Sequence, residues 1–215
     1  MGRTILNIIL LLLVITPARS SAQQPADDKQ LQEVVVVGSK HKQQSLTSRG
    51  RRIPGAVSMF TPDKLGYEVG ATLTIRHRFE LEEITFDIIS NSVKGTTLSI
   101  QIYRDSTYIP QLSQPLLVNI PEGKRLAITA IPTEHTLLEA GDYIVAITFA
   151  DCDESVKQQW TDHEQWDSQT RYRMQSQSIQ FPLYLKAGHI RNATTEAFEK
   201  CTANIGIKVK GVAYL

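Results

Sequence analysis

The sequence predicts an all-β protein, an antiparallel two-sheet sandwich of jelly-roll-like type, preceded by an export signal and a flexible N-terminal segment. Three observations carry that expectation. Apolar residues recur with period two at Leu73, Ile75, His77 and Phe79, at Ile84, Phe86 and Ile88, and at Leu98, Ile100 and Ile102, as in strands with one buried face. Turn formers punctuate the chain at Asp105-Ser106, Pro121-Glu122-Gly123, Glu139-Ala140-Gly141-Asp142 and Ala187-Gly188. No stretch after residue 66 sustains helical periodicity, and short strands at this spacing argue for a sandwich.

At the N-terminus, Arg3 gives a short positive region and residues 5–15 an apolar run interrupted only by Asn7. Pro17 ends that run, and Ser20-Ser21-Ala22 supplies the small residues that signal peptidase requires, so residues 1–22 read as a cleaved signal peptide. The run is too short for a ~30 Å hydrocarbon core, and no second run of spanning length follows, so no transmembrane segment is expected in the mature chain. Residues 23–30 are polar and read as a spacer. Glu33-Val34-Val35-Val36-Val37 is rich in β-branched side chains, which favour extended backbone, so residues 31–38 are expected to form a strand. Polar sequence flanks it on both sides, so it needs a sheet edge, either on this domain or on another protein.

Residues 41–52 read as a second linker within a basic cluster of Lys40, Lys42, Arg49, Arg51 and Arg52. Pro54 and Pro62 are expected to delay regular structure until Gly66. The organisation is therefore a signal at 1–22, a flexible linker at 23–66 and a β-sandwich domain at 67–215. Further strands are expected at 116–120, 125–131, 143–149, 180–186, 189–194 and 203–213, with one long irregular stretch at 151–178.

Loss of Arg3 and Arg19 with the signal leaves 21 basic against 22 acidic residues. That balance, without a basic stripe, gives no reason to expect nucleic acid as a partner. Two cysteines, Cys152 and Cys201, would favour a disulfide in an oxidising compartment, closing a loop of about 50 residues worth roughly 4 kcal/mol. Two unpaired thiols are the alternative, because sequence does not show that the Cα atoms come within ~7 Å.

Two stretches carry a resemblance. Leu31-Gln32-Glu33-Val34-Val35-Val36-Val37-Gly38 is similar to the TonB-box-like segment of Bacteroidetes envelope proteins. The later part resembles the C-terminal domain of Bacteroidetes carboxypeptidase-like regulatory domain-containing proteins. The matching residues are Tyr67-Glu68-Val69-Gly70, Phe86-Asp87-Ile88 within 81–91, residues 98–103, Gly141-Asp142-Tyr143-Ile144-Val145 and residues 204–209. The resemblance implies a periplasmic or outer-membrane-associated protein of a Gram-negative bacterium, with an envelope protein as partner. It supplies no catalytic residues. The small regulatory domain that precedes the valine segment in such proteins has no counterpart between the signal and residue 31. Too few residues remain for a transmembrane transporter barrel.

Chemistry is sparse. His41, His77, His135, His163 and His189 form no His-Glu-x-x-His motif, and no Gly-x-Ser-x-Gly occurs. His77 falls on the apolar face of its strand and reads as a core histidine. The densest polar cluster is Asp151, Asp153, Glu154, Asp162, His163 and Glu164, which lacks the Gly and terminal Glu of a calcium loop, so no metal or other cofactor is expected. Trp160, Trp166, Tyr172 and Tyr184 could form an aromatic platform for a glycan, or could simply pack beneath the long loop. Asn192-Ala193-Thr194 and Asp105-Ser106-Thr107 match glycosylation acceptors only weakly.

The leading expectation is a non-enzymatic exported binding module, with Glu33, Val34, Val35, Val36 and Val37 pairing with a protein partner. A hydrolase of envelope glycans or peptides, using Asp151, Asp153, Asp162 and His163, is the first alternative; a structural subunit of an outer-membrane complex is the second.

Overall fold

The alternating segments become strands because β-branched and aromatic side chains fit a pleated surface with one dry face. The computed structural model describes residues 40–192 and 196–215. The signal at 1–22, the spacer, the valine segment and Ala193-Thr194 lie outside the described residues.

In chain order the strands are β1 His41–Thr47, β2 Arg51–Phe60, β3 Glu68–Ile75, β4 Arg78–Asn91, β5 Thr97–Arg104 and β6 Leu116–Asn119. They continue as β7 Gly123–Ala130, β8 Thr136–Leu138, β9 Gly141–Asp151, β10 Ile179–Arg191, β11 Glu199–Asn204 and β12 Lys208–Tyr214. Two short helices, α1 Glu154–Gln159 and α2 Ser168–Met174, lie between β9 and β10. Every pairing among these strands is antiparallel.

One layer runs β1-β12-β4, with β8 and β7 end to end along the far edge of β4. The other runs β11-β10-β3-β9-β5-β6. The layers are not separate sheets, because β10 belongs to both. Its first residues, Ile179 and Gln180, pair with Asn91 and Ser90 of β4, while its last, Gly188 to Arg191, pair with Ala71 to Glu68 of β3.

Between the layers lies the main core. Phe60 sits at its centre, stacked on Phe149 with centroids 5.9 Å apart and edge-on to Phe181 at 5.2 Å. Phe86, Ile84, Ile88, Leu98, Ile100, Ile102, Val145 and Ile147 complete it. β9 is dry on both faces. Its outward Ile144 and Ala146 lie in a second, smaller cluster with Phe198, Tyr103 and Tyr108.

Several sequence expectations need correction. The domain does not begin at residue 67, because β1 and β2 lie inside the expected linker. β1 pairs with β12 over its full length, from His41 opposite Tyr214 to Thr47 opposite Lys208. It is mostly exposed, and an edge strand with little to bury needs no apolar alternation. β2 tolerates Pro54 because among the described strands it pairs with β10 alone and bulges there, residues 53–56 standing opposite Leu183, with Gly55 at φ +74°.

His77 is exposed in the bend between β3 and β4, not in the core. The buried imidazole is His189. Ala187-Gly188 is no turn but a bulge within one continuous strand. Gly188 is required there by close approach, since a Cβ would stand 2.0 Å from the Ala203 carbonyl oxygen. Conversely, the run expected at 203–213 breaks into β11 and β12 at Gly206, which has φ +74°.

The Cys152–Cys201 disulfide is absent; both thiols are free. Cys201 lies opposite Gly188, and through Ala71 the register runs on to Val145, several residues before Cys152, which follows the end of β9. Strand spacings of ~4.8 Å across three strands put the pair far outside disulfide reach.

Gly211 is as crowded as Gly188, because a Cβ would lie 1.9 Å from the Glu80 carbonyl oxygen. Gly188→Ala and Gly211→Ala are each expected to lower stability by about 2–3 kcal/mol, read from urea midpoints at unchanged slope. Gly123→Ala, which meets only the Leu126 side chain at 3.3 Å, gives the cost of backbone strain without a backbone clash.

Candidate functional site

The chain offers three places where polar or apolar groups are held unusually: a buried ionic cluster, the 151–178 loop and an open sheet edge.

The ionic cluster lies on the outer face of β3, β5 and β10. Pairing of Glu68 with Arg191 across β3 and β10 brings the two charges together. Arg191 Nε donates to Glu68 Oε2, Nη2 donates to the Tyr103 hydroxyl at 2.7 Å, and Glu68 and Arg191 are 0 % and 6 % exposed. The guanidinium lies between two rings, 4.1 Å from the Phe198 centroid and 4.8 Å from that of Tyr103. His189, two residues before Arg191 on the same face, shares a 2.8 Å hydrogen bond with Thr72 Oγ1 and meets Phe198 edge-on. Burial, with the Glu68 charge beside it, pushes the Tyr103 hydroxyl up to about 12. Burial also holds the His189 imidazole below its ordinary range. Glu68, Tyr103, His189 and Arg191 line neither of the two clefts described below, and the cluster braces β3, β5 and β10 against one another.

The loop is built by its caps. Asp153 accepts from the Ser155 N–H to start α1, and Asp167 accepts from the Thr170 N–H to start α2. Val156 and Trp160, four residues apart, turn the same way into the core. The Trp160 indole N–H donates to Gln177 Oε1 at 2.8 Å and ties the loop's ends together. Trp166 packs on Trp160 with centroids 4.9 Å apart.

Of the four candidate aromatics, only these two meet. Tyr172 stands alone on α2, 78 % exposed, and Tyr184 is buried on β10 with the Arg49 guanidinium over its ring. No platform joins all four.

The acidic residues do not converge on one point. Lys157 bonds Asp151 at 2.7 Å and Glu154 at 3.3 Å, while Lys94 lies 3.3 Å from Asp153. The Lys157 ammonium holds the Asp151 carboxyl low, and the Ser155 hydroxyl and N–H do the same for Asp153, which suits neither to donate a proton at neutral pH. Among the described residues, no group of three or more His, Cys, Asp or Glu is placed to hold a metal ion. Burial pushes the Cys152 thiol up, away from reactive thiolate character.

The loop and β2 leave a small cleft of about 240 Å³ between them, lined by Met59, Thr61, Lys64, Trp166 and Arg171 among others. A larger one, about 460 Å³, lies between β6 and the β7–β8 corner. Among the described strands β6 pairs only with β5, and β7 only with β4, so no described strand covers the other edge of either. Leu116, Leu117 and Val118 line the larger cleft together with the corner residues Ile131 and Pro132. Leu117 and Ile131 are 71 % and 69 % exposed. A 2.5 Å hydrogen bond from the Ser113 hydroxyl to Glu134 spans it, and Asn91 fixes the turn after β6 by donating to the Ile120 and Pro121 carbonyls at 3.2 Å. Sequence reasoning passed over this site, although Pro115 and Pro132 beside short apolar runs are a signal of edge chain. Glu33 to Val37 lie outside the described residues.

No protein-family model matches the chain, and no curated protein matches it significantly. Among the described residues, no helix is long and apolar enough to cross a membrane.

Glu68→Gln or Arg191→Met alone is expected to cost about 3–5 kcal/mol in urea unfolding, and the joint change to apolar residues much less. Stability should also fall as pH rises from 10 towards 12, because the unfolded tyrosine loses its proton while Tyr103 keeps it. Tyr103→Phe should flatten that decline. On the acid side, His189 resists protonation in the fold, so its contribution is lost as pH drops below 6.5.

Proposed function

We propose that this chain is a non-enzymatic, exported envelope protein that works by binding, pairing an uncovered strand edge with an extended segment of a protein partner. The observation that carries the reading is the cleft between β6 and the β7–β8 corner, with backbone edges on both strands unpaired among the described residues and Leu117 and Ile131 held out in solvent. Unpaired N–H and C=O groups give an added strand its affinity, and alternate side-chain pockets give it specificity. Glu134 is the one charged residue in the lining, and Ser113 already occupies it, so an uncharged apolar segment fits best.

Residues 31–38 supply a second mode of the same kind, in which this chain donates Glu33 to Val37 to a partner's sheet. Their similarity to TonB-box-like segments, and the signal-like residues 1–22, support placement in the periplasm or at the outer membrane. A hydrolase built on Asp151, Asp153, Asp162 and His163 is disfavoured, since lysines already pair with Asp151 and Asp153.

A photoreactive residue at 117 should crosslink a discrete envelope protein, and Leu117→Lys with Ile131→Lys should weaken that complex at least tenfold, each buried aliphatic being worth about 1.5–3 kcal/mol. Thermal stability should stay within about 0.5 kcal/mol, as for other surface changes. Undiminished complex formation by the double variant rejects the edge as the docking site. Deleting residues 31–38 tests the donor mode separately.

A further inference from the structure

The cleft between β2, the turn at Pro62–Lys64 and the α1–α2 loop is not used by strand pairing, and its chemistry differs from that of the larger cleft. Trp160, Trp166, Met59 and Thr61 line it, together with Asp63, Lys64, His163, Arg171 and Gln175. Trp160 is fixed, its side chain buried and its indole N–H committed to Gln177. Trp166 is different. It is half-buried, braced by Trp160 at 4.9 Å and His163 at 6.5 Å, and its indole N–H has no hydrogen-bond partner among the described residues. An amphipathic ring so placed offers a flat apolar face and a free donor at one edge.

The charges around it are unbalanced. Neither Lys64 nor Arg171 is ion-paired among the described residues, whereas Lys94, Lys157 and Lys210 elsewhere each hold a carboxylate. Lys64 leans over the Tyr67 ring at 5.4 Å, and Arg171 makes only a 3.4 Å contact with the His163 carbonyl. Against these two cations the lining sets a single carboxylate, Asp63. The Thr61 hydroxyl and the Gln175 amide make no side-chain hydrogen bonds among the described residues, and so can receive or donate to a ligand.

We propose that this cleft binds one uronate unit, a pyranose bearing a carboxylate. The C–H face of the sugar lies on Trp166, its carboxylate meets Arg171 and Lys64, and its hydroxyls reach Thr61, Gln175 and Asp63. Size agrees with that class. A volume of about 240 Å³ lies below the ~300–1,000 Å³ typical of sites for drug-sized ligands, so a single ring fits and a chain of rings extends into solvent. A bare phosphate would satisfy the cations and leave the rings unused; a neutral hexose would do the reverse. This inference stands apart from the strand-pairing reading, and either can fail alone.

The chain's only two tryptophans both line the cleft, so intrinsic fluorescence reports on it directly. Titration of the full chain with glucuronate should give a saturable change with a dissociation constant of about 1 mM, the affinity expected for a ligand of this size. Glucose should bind at least tenfold more weakly, and inorganic phosphate should neither mimic nor displace glucuronate. Lys64→Gln with Arg171→Gln, both at exposed positions, should bring glucuronate down to the level of glucose while far-ultraviolet dichroism stays unchanged. An oligouronate separates the two sources of the unit: binding as tight as the monomer's assigns the end of a polymer, and exclusion assigns the free acid. No saturable response to glucuronate, equal binding of glucose, displacement by phosphate, or full preference retained by the double variant overturns the proposal.

Discussion

The fold depends on a single strand being shared. β10 begins beside β2 and β4 and ends beside β3 and β11, so its thirteen residues join the two layers by backbone hydrogen bonds. A strand that changes neighbours must bend, and the register along β10 breaks twice: opposite Leu183, where the extra residues belong to β2, and between Leu185 and Gly188, where β10 itself carries the extra one. Pro182 cannot donate to a ladder, and Gly188 has no side chain to resist the Ala203 carbonyl. These residues would weaken an ordinary central strand. Here they permit the bend, and Phe181 and Ile179 beside them anchor it in the main core.

The same bend explains what the sequence does and does not reveal. Strands with one wet face and one dry face announce themselves by alternation, which is why β4 and β5 are legible, whereas β9, dry on both faces, reads as a short unbroken apolar run after a turn. β1 and β2 are not, because their stability comes from partners far along the chain: β1 from β12, β2 from β10. A polar edge strand and a linker have the same composition. Phe60 makes the point most sharply: it reads as the tail of a proline-flanked linker and proves to be the ring around which Phe149, Phe181 and Tyr67 assemble. Gly188 and Gly206 show the complementary difficulty. One glycine answers a close contact and the other a left-handed backbone, and only the second ends a strand.

The sites divide along similar lines. Trp160 and Trp166 are close in sequence, and their meeting is a local consequence of α1 and the turn after it. Lys64, Thr61 and Met59 join them only because β2 runs into the core nearby. Tyr172 and Tyr184 share a residue type with the tryptophans but neither their element nor their environment. The Glu68–Arg191 pair is invisible in sequence for a related reason: no local pattern marks two opposite charges more than a hundred residues apart as cross-strand neighbours. The open edge beside β6 is harder still, since a missing neighbour leaves no trace in the residues that lack it.

The joining of β1 to β12 has a kinetic meaning. His41 faces Tyr214, and the Leu215 N–H reaches back to the Lys40 carbonyl at 2.7 Å. The layer's border is thus closed by the earliest and latest described strands, the most non-local pairing the domain contains. Loop closure over so long a span makes assembly slow. Nascent chain emerging from a ribosome therefore lacks a completed sheet until β12 has been made, and β4 waits with one flank bare. Because the two ends of the domain finish side by side, the order in which its strands are synthesised could be rotated, by joining those ends and cutting a surface turn, without altering the finished architecture.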